Sequence, residues 1–579
     1  MTREQEHNTQ EHLTKAADPH QIAYFSMEIG FRPEIPTYSG GLGILAGDTL
    51  KSLADMGSDV VAVTMLSEKG YFYQKFDEKG YQYEEDYRWS PEKLLTKLDT
   101  TVTVTIEGRD VKIGAWKYEL EGIGGDSVPI IFLDTHLEEN DETDQKLTGH
   151  LYGGDVHYRL LQEVVLGIGG ARMLEALGYT PRKYHLNEGH AAFLSFELAR
   201  RLCDVNIRPH DCQALLRKSI SFTTHTPVKA GHDSFPIADV KKALGEVYDE
   251  NIAASAYEGE NFSMTKLALA TTSYTNAVAR KHQSVTKQMF PHEEIDYITN
   301  GVHSTTWTGT HIASLFDKHI IDWRRNPLEL RSALKIPEEE LLEAHKKAKR
   351  ELVDYINTTM NGGFDYDSFT IGFARRATAY KRAELLFKDV ERLKEISRKE
   401  GKIQLVFAGK AHPRDEQGKQ IIQHIKRLGE SLEPALKFVF LENYNMHLGQ
   451  LLTSGVDLWL NTPQRPFEAS GTSGMKAAHN GVPSLSIPDG WWVEGCIEGV
   501  TGWAIGPEQR LEQDRQTVDD KDAEDLYTQL ADKIVPLYYH DQKGYARVMR
   551  NAIAINASYF NTHRMAKQYL VRAYTVMRD

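Results

Sequence analysis

Short apolar runs and amphipathic stretches alternate along most of the chain, a pattern typical of proteins in which strands and helices follow one another. Residues 22–29 (IAYFSMEI) and 59–66 (DVVAVTML) each predict a strand, and residues 37–57 between them predict a glycine turn that opens a helix. This strand–helix–strand order favours a parallel sheet. Residues 67–150 interrupt the order with tyrosines, charges and short alternating runs, which predict an antiparallel insertion.

A second regular series begins near residue 370. Amphipathic helices such as residues 383–401 separate five β-rich segments, which end near residues 376, 410, 443, 463 and 490. The mostly helical stretch 302–365 joins the two series, and the pattern over about 549–579 predicts one long helix.

We therefore predict an α/β protein with two Rossmann-like, doubly wound domains that face each other across a cleft. The N-terminal domain covers residues 1–305, with its insertion near 67–150, and the C-terminal domain covers residues 306–579. The C-terminal helix would pack back on the N-terminal domain. Because such folds bind ligands at the carboxyl ends of their parallel strands, the cleft is the expected site.

The composition limits which kinds of partner the protein binds and in which cellular compartment we expect it. With 579 residues, the chain exceeds the size at which one hydrophobic core stops growing. Its net charge of −14 argues against a nucleic-acid partner, which would favour a basic face. The chain has no apolar run of about 18 residues to predict a membrane span, and its polar beginning lacks the apolar stretch of a signal peptide. Cys203, Cys212 and Cys496 form no C-x-x-C pair, so we expect a cytoplasmic protein without a disulfide framework.

The most informative segment is RPFEASGTSGMKAAHNG, residues 465–481, which follows an apolar strand and opens a helix. Glu468 is expected at the strand end, and small residues from Ser470 to Gly474 would let a phosphate approach the backbone N–H groups at the helix start. Lys476 follows on the first turns of the helix. An amine beside an anion-binding loop in a buried cleft is what a pyridoxal phosphate Schiff base requires. A glycine-rich turn with a surface lysine is the alternative interpretation of this segment alone.

The segment ARRATAYKR, residues 374–382, follows another predicted strand. Arg376 and Lys381 stand five residues apart, at the end of that strand and the start of the next helix. Two cations there suit a phosphate dianion, which arginine can bind through two parallel hydrogen bonds. A solvated basic patch is the alternative for such a pair.

Shorter segments are weaker signals on their own. YSGGLG (38–43) is a glycine loop at a helix start, THTP (224–227) contains His225, and ITNG (298–301) contains Asn300. HLNEGH (185–190) places its histidines at i and i+5 instead of the i, i+4 spacing of the helical zinc motif, so we expect no metal site there.

Together these segments resemble those of the α-glucan phosphorylases, the family of glycogen, starch and maltodextrin phosphorylases. The resemblance covers about residues 20–505, discontinuously. EASGTSGMK is similar to the family's EASGTGNMK, whose lysine carries pyridoxal phosphate, and YSGGLG, LYGGD, HLNEGH, THTP, ITNG and ARRATAYKR each look like a family segment, in the same chain order. The resemblance implies a GT-B-type glycosyltransferase fold. It also implies reversible phosphorolysis, with retention, of terminal glucosyl units of α-1,4-glucan or maltooligosaccharide by inorganic phosphate to give α-glucose-1-phosphate.

Carried over position by position, the resemblance implies a set of site residues. Catalytic roles would fall to Lys476, Arg376, Lys381, His225 and Glu468. The cofactor pyridoxal phosphate would be bound by Lys476, Arg375, Thr472, Ser473, Tyr444 and Gly41. The substrates would be bound by Glu28, Gly40, Gly41, Leu42, Asp155, His225, Asn300, Tyr380, Glu468, Ser470 and Gly471. We expect no metal site, and the family suggests a homodimer.

The chain departs from the family pattern in three places. Ser473 and Gly474 replace the family's Gly-Asn, Arg375 stands where lysine is usual, and Asn445 follows Tyr444 where a basic residue is familiar. The chain is also shorter than the well-studied members. Because little precedes Glu28, we expect the N-terminal phosphorylation and nucleotide-effector region to be absent.

Two other functions compete with phosphorolysis. A retaining glycosyltransferase that uses a sugar nucleotide would share the fold and the Arg-x4-Lys pair. Such enzymes carry a second glutamate eight residues after the position of Glu468, where this chain has Lys476. The third hypothesis is a non-catalytic glucan-binding protein, and the polar residues retained in every matched motif argue against it.

Overall fold

The computed structural model describes residues 21–203, 209–509 and 514–575. Its strands fall into two groups along the chain. The first group is β1 (Ile22–Ser26), β2 (Val60–Met65), β3 (Tyr73–Phe76), β4 (Gln82–Glu85), β5 (Thr96–Ile106), β6 (Arg109–Glu121), β7 (Ser127–Asp134), β8 (Lys183–Asn187), β9 (Ile220–Thr223), β10 (Ser234–Pro236), β11 (Tyr257–Glu258), β12 (Asn261–Ser263), β13 (Tyr274–Ala277) and β14 (Ile295–Tyr297). The second group is β15 (Phe369–Ala374), β16 (Ile403–Ala408), β17 (Lys437–Leu441), β18 (Leu458–Asn461), β19 (Ser484–Ser486) and β20 (Gly502–Ala504).

The α-helices also fall into two groups, before and after residue 302. The first group is α1 (Gly41–Asp55), α2 (Glu142–Gln145), α3 (Val156–Val164), α4 (Gly170–Ala176), α5 (Leu194–Cys203), α6 (Pro209–Ser219), α7 (Ile237–Leu244), α8 (Glu250–Ala253), α9 (Met264–Thr271) and α10 (Arg280–Met289). The second group is α11 (Ser304–Trp307), α12 (Thr310–His319), α13 (Glu338–Met360), α14 (Val390–Lys399), α15 (Glu416–Glu430), α16 (Met446–Gly455), α17 (Ser473–His479), α18 (Trp492–Gly495), α19 (Arg515–Gln529), α20 (Val535–His540), α21 (Gln542–Asn551) and α22 (Thr562–Arg572).

Two large sheets organise the described chain. The first has nine strands in the order β14-β13-β9-β8-β1-β2-β7-β6-β5. Its strands from β14 to β7 are parallel, and β6 and β5 add an antiparallel edge. The second has six parallel strands in the order β17-β16-β15-β18-β19-β20, which is the Rossmann order 3-2-1-4-5-6. The predicted α/β class with parallel, doubly wound sheets is therefore confirmed.

The strands are apolar because helices cover both faces of each sheet, as parallel sheets require. All residues of β1, β2 and β15 are buried. Two apolar clusters lie on opposite faces of the nine-stranded sheet, and two more flank the six-stranded one. A fifth cluster joins the two halves and contains Trp307, Trp491 and Trp492, all of which are buried.

The structure differs from the sequence-based elements in three places. Of the segment 67–150, only β3 and β4 form a separate hairpin, whereas β5 to β7 extend the nine-stranded sheet. Residues 383–401 are not one helix, because a 3-10 turn (Ala383–Phe387) precedes α14 and the Asp389 side chain caps α14 by accepting from Arg392 N. The single helix predicted over about 549–579 is interrupted: a π-helix (Ala552–Ala557) follows α21, and Asn561 caps a new helix, α22. Residues 576–579 of the predicted range lie outside the described part of the chain.

The break before α22 lets that helix reach the N-terminal half. Met565, Ala566 and Tyr569 of α22 pack in one apolar cluster with residues of β1 and α1. The Tyr569 hydroxyl also accepts a hydrogen bond from Asn276 Nδ2 at 3.0 Å. No helix in the described part of the chain combines the length and the apolar character needed to cross a membrane.

Candidate active site

A cavity of about 700 Å³ opens between the two large sheets. Its walls come from the segments that follow β1, β8, β9 and β14 in the first sheet and β15 to β18 in the second. Both sets of segments leave the carboxyl ends of parallel strands, where doubly wound folds bind ligands. In the second sheet, the strand order reverses between β15 and β18, and the segments after these two strands carry Arg375, Arg376 and Glu468.

Glu468 forms ion pairs with two cationic side chains on the C-terminal wall of the cavity, which is the side formed by the segments that follow β15 to β18. Its Oε2 lies 2.6 Å from Lys381 Nζ and 2.8 Å from Arg375 Nη2. Burial alone would raise the pKa of the carboxyl, but Arg375 and Lys381 outweigh that effect and lower the pKa to about 2. The sequence placed Glu468 at the end of a strand, but β18 ends at Asn461, and a loop with a cis Arg465–Pro466 bond carries Glu468 into the cavity.

Arg376 reaches across the cavity to the glycine loop of the other half. Its Nη2 donates to Ser39 Oγ at 3.4 Å, and the side chain is exposed to the cavity without an ion pair to any carboxylate in the described part of the chain. Glu28 organises the same loop, since its Oε2 accepts from Ser39 N at 2.5 Å and from Gly40 N at 3.2 Å. Gly40, a predicted substrate-binding residue, therefore has its N–H bonded to Glu28 in this structure.

Lys476 extends from α17 into the cavity, and its side chain is buried. Its Nζ lies 3.6 Å from the ring centroid of Trp307, and among the described residues it has no hydrogen-bond partner. Burial lowers the pKa of this amine to about 8, with a small opposing contribution from Asp48 and a small reinforcing one from Lys51. A neutral, nucleophilic amine is thus accessible near neutral pH.

His225, Asn300 and Ser470 line the cavity with hydrogen-bonding groups that face a ligand-sized space. His225 Nε2 lies 2.7 Å from Asn187 Oδ1, so the ring proton is assigned to Nε2 and Nδ1 keeps its lone pair. Burial lowers the pKa of His225 well below its usual value, so the ring is neutral at pH 7. Asn300 Oδ1 and Ser470 Oγ are buried without a hydrogen-bond partner in the described chain. Because buried polar atoms are normally hydrogen-bonded, these two atoms suit a polar ligand.

The structure brings almost all of the remaining sequence-predicted residues to the same cavity. Those that line it are Gly41, Leu42, Tyr380, Tyr444, Gly471, Thr472 and Ser473. Burial raises the pKa of the Tyr444 hydroxyl to about 12, so it remains a hydrogen-bond donor at neutral pH. Ser473 Oγ accepts from Trp459 Nε1 at 3.1 Å, which ties its hydroxyl to the protein.

Asp155 is the exception among the predicted site residues. Its side chain caps α3 by accepting from Tyr158 N at 2.8 Å. It borders a second cavity of about 760 Å³, which shares Arg159, Asp233 and Arg414 with the first. The structure therefore places Asp155 beside the central cavity and outside its lining.

Sequence reasoning named no role for several other residues of the cavity. Glu188 has φ +72° and accepts from His225 N at 2.8 Å and Thr226 Oγ1 at 2.9 Å, which positions the segment around His225. Tyr152 donates to Glu28 Oε1 at 3.0 Å. Both stand inside recognised segments, HLNEGH and LYGGD, so the motifs pointed to them. Lys410 and Trp307 carried no such signal.

Comparison with known proteins identifies the family of this chain. A family model described as carbohydrate phosphorylase matches residues 249–500. The maltodextrin phosphorylase of Thermococcus litoralis is 39% identical over 96% of this chain and 70% of its own. The chain belongs to the carbohydrate phosphorylase family. The glycogen phosphorylase of Aquifex aeolicus is 34% identical over 96% of this chain and 86% of its own, and that of Mycobacterium tuberculosis is 35% identical over 96% and 71%.

Family membership confirms the resemblance on which the sequence analysis relied. It also confirms the predicted class of protein, an enzyme of the glycosyltransferase type with the phosphorylase fold. Family membership does not assign roles to individual residues, which are inferred below from the geometry of the cavity.

Proposed function

We propose that this member of the carbohydrate phosphorylase family is an α-1,4-glucan phosphorylase. It would transfer the terminal glucosyl unit of α-1,4-glucan or maltooligosaccharide to inorganic phosphate, reversibly and with retention, and release α-glucose-1-phosphate. The observation that carries this proposal is the buried amine of Lys476, which lies in the same cavity as Arg375, Arg376 and Lys381. A cavity with one free amine and three cations suits a cofactor with an aldehyde and a phosphate, together with a second phosphate as substrate.

The residues around Lys476 fit pyridoxal phosphate. The amine has a pKa of about 8 and no competing hydrogen bond in the described chain. Gly471 has φ +79°, a conformation that favours glycine, and a Cβ there would approach Glu468 Oε1 to 3.1 Å. The short segment from Ser470 to Thr472 carries only small side chains, which would leave room for a phosphate in the cavity that Arg375 also lines. Lys476 would hold the cofactor covalently, and Arg375, Thr472, Ser473, Tyr444 and Gly41 would surround it.

When bound, pyridoxal phosphate supplies a phosphate group that can accept and return a proton near neutral pH. The protein's own contribution is charge and position. Arg376 and Lys381 would bind the substrate phosphate, and the Glu468 carboxylate orients Lys381 and Arg375 through its two ion pairs. Positive charge fixed in a buried cavity stabilises the developing charge of the transition state more than the same charge would in water.

The glucosyl unit would occupy the part of the cavity lined by His225, Asn300, Ser470, Gly471 and Tyr380. Asn300 Oδ1 and Ser470 Oγ could accept from and donate to sugar hydroxyls, which would satisfy both atoms. Glu28, Gly40 and Leu42 would bound the sugar on the opposite side. Exclusion of water from the occupied cavity would favour transfer to phosphate over hydrolysis.

Phosphorolysis is tested directly by incubating the purified chain with maltoheptaose and inorganic phosphate. Formation of glucose-1-phosphate that depends on phosphate supports the proposal. A nucleotide diphosphate sugar as the only productive donor would establish the rival glycosyltransferase instead, although Lys476 stands where that class carries a glutamate. A chain fully loaded with cofactor but inactive in both assays would indicate a glucan-binding protein.

The cofactor-bearing lysine is tested by borohydride reduction followed by peptide mapping. The chain contains two internal controls, because burial also lowers the pKa of Lys410 to about 7 and of Lys183 to about 8. Lys410 lines the same cavity, but its Nζ donates to Phe72 O at 3.0 Å, and Lys183 Nζ donates to Lys218 O at 2.6 Å. We expect the pyridoxyl adduct on Lys476 alone, and an adduct on Lys410 would overturn the assignment.

Three broader predictions belong to the same proposal. Residues 1–305 and 306–579 would act as two domains that close on the cavity, and the enzyme would work in the cytoplasm as a homodimer. The free thiol of Cys496 is compatible with a reducing compartment. Sedimentation at several protein concentrations measures the assembly state, and a monomer at all of them would remove the dimer from the proposal.

A further inference from the structure

A buried group of two histidines and one aspartate lies outside the cavity, and we call it the Asp55–His303–His563 cluster. Asp55 is the last residue of α1, His303 precedes α11, and His563 is the second residue of α22. The side chains are 4%, 7% and 4% exposed, respectively. Three distant parts of the chain therefore bring potential metal ligands to one buried position.

The donor atoms converge on one point. Asp55 Oδ2 lies 2.8 Å from His303 Nε2 and 3.4 Å from His563 Nε2, and all three atoms lie within 4.8 Å of one another. His563 Nε2 is buried and makes no hydrogen bond to any described residue, even though it faces the carboxylate. An unpartnered nitrogen in this position is costly unless something else satisfies it.

The other polar atoms of the three side chains are already held by neighbours. His303 Nδ1 lies 2.7 Å from Thr306 Oγ1, His563 Nδ1 lies 3.1 Å from Ser52 Oγ, and Asp55 Oδ1 accepts from Ile123 N at 2.8 Å. His303 Nδ1 also accepts from Thr306 N at 3.3 Å, so metal binding would require its proton to move to Nδ1, where it would donate to Thr306 Oγ1. With both ring protons on Nδ1, the two Nε2 lone pairs would be left for a ligand. Metal-binding histidines are oriented in this way by a partner on the second ring nitrogen.

From this geometry we propose that Asp55, His303 and His563 bind one divalent cation of the Zn²⁺ class. Two imidazoles and one carboxylate suit Zn²⁺, Co²⁺ or Ni²⁺, whereas Mg²⁺ and Ca²⁺ favour oxygen ligands throughout. In a tetrahedral Zn²⁺ site, bonds of about 2.0–2.1 Å place neighbouring ligand atoms about 3.3 Å apart. The observed separations of Asp55 Oδ2 from the two histidine nitrogens, 2.8 and 3.4 Å, are close to this value, and a water molecule would supply the fourth ligand.

A cation at this position would tie α1 and α22 to the segment that follows Asn300. That segment begins the crossing between the two large sheets, and four residues after His303 it presents Trp307, on whose ring face Lys476 Nζ lies. The cation would thus stabilise the attachment of the C-terminal helix and the position of this segment together. None of the three ligands lines the cavity, so the proposed role is structural.

The metal-free alternative is an aspartate–histidine hydrogen bond. In that arrangement His303 carries its proton on Nε2 and donates to Asp55, while Thr306 N donates to His303 Nδ1 at 3.3 Å. It satisfies His303 and Asp55 but leaves His563 Nε2 without a partner. The two arrangements differ in whether the full chain binds a cation in a fixed stoichiometry.

The test uses the untagged full chain, treated with a chelator and freed of excess pyridoxal phosphate, and titrated with Co²⁺ and separately with Zn²⁺. We expect one Co²⁺ per chain with the intense visible ligand-field bands of a four-coordinate site, displacement of Co²⁺ by Zn²⁺, and a higher Tm with either ion. His563→Gln should abolish these bands. The matched control His311→Gln, which changes a histidine paired with Glu351 on the surface, should keep them.

The titration of the unaltered chain decides the question even if the variant folds poorly. A chain that takes up no stoichiometric Co²⁺ or Zn²⁺, or that shows only the weak bands of hydrated Co²⁺, would overturn the proposal and establish the hydrogen-bonded alternative. Bands that persist unchanged in a folded His563→Gln protein would also overturn it, because the ion would then lie elsewhere. The outcome is independent of the glucan assay, so failure of either proposal leaves the other standing.

Discussion

Lys381 and Glu468 lie 87 residues apart in the sequence and form a buried ion pair, with Lys381 Nζ 2.6 Å from Glu468 Oε2. The same carboxylate oxygen also holds Arg375, so one anion orients two cations on the C-terminal wall of the cavity. The pair is formed by the two segments at the reversal of the strand order, after β15 and β18. The protein's own carboxylate therefore positions two of the cations of this site.

This relationship gives the first prediction. Lys381→Ala should reduce phosphorolysis about 10²–10³-fold, because it removes a fixed charge that would stabilise the transition state. Glu468 would keep Arg375 as a partner, so the protein should remain folded. Initial rates at saturating glucan and phosphate measure the loss. Lys388→Ala, which removes a partly exposed pair with Asp520, is the control and should leave the rate unchanged. An active Lys381→Ala enzyme would contradict the assigned role.

The second prediction concerns the pH dependence of cofactor loading. Lys476 has a pKa lowered by burial to about 8, so about one tenth of the apo-protein carries the neutral amine at pH 7. The rate of covalent loading should rise with pH through about 8 and then level off. Stopped-flow absorbance of apo-protein mixed with pyridoxal phosphate measures it. A rate that kept rising towards the usual lysine pKa of 10.5 would show that the amine is not perturbed.

The third prediction uses two neighbouring glycines as a matched pair. A Cβ at Gly40 would lie 3.1 Å from Arg376 Nη2, whereas a Cβ at Gly41 would meet nothing within 4 Å. Gly40→Ala should therefore displace the Arg376 guanidinium and raise the KM for phosphate several-fold. Gly41→Ala should raise it less. Equal effects of the two substitutions on the KM for phosphate would show that the contact of Gly40 with Arg376 does not affect phosphate binding.

The fourth prediction concerns stability. Asp457 is fully buried, and its carboxylate lies 2.6 Å from Lys349 Nζ and 2.9 Å from His345 Nε2. Asp457→Ala would leave the Lys349 ammonium buried without its anion, so the free energy of unfolding should fall by about 3–5 kcal/mol. Denaturant titration measures the change. The exposed pair of Glu391 with Lys394 provides the control, and Glu391→Ala should change stability by less than about 1 kcal/mol.

Much of the architecture follows from local pattern. The apolar runs near β1, β2 and β15 to β18 locate strands to within a few residues, because a strand buried on both faces has to be apolar throughout. Breaks inside helical patterns were harder to predict. Asp389 and Asn561 end one helical pattern and cap the next, and a side chain that caps a helix differs from a solvated one only in its three-dimensional setting.

The sequence by itself determined the family, the two parallel-sheet series and a set of site residues of which all but Asp155 line the central cavity, because these depend on periodicity and on short motifs. Only the tertiary structure decided that Glu468 pairs with Lys381 and Arg375, that Asp155 caps a helix beside the cavity, and that Asp55, His303 and His563 meet. Those relationships join residues from tens to several hundred positions apart or depend on where a loop directs a side chain. Chain packing fixes such geometry, and no local pattern in the sequence encodes it.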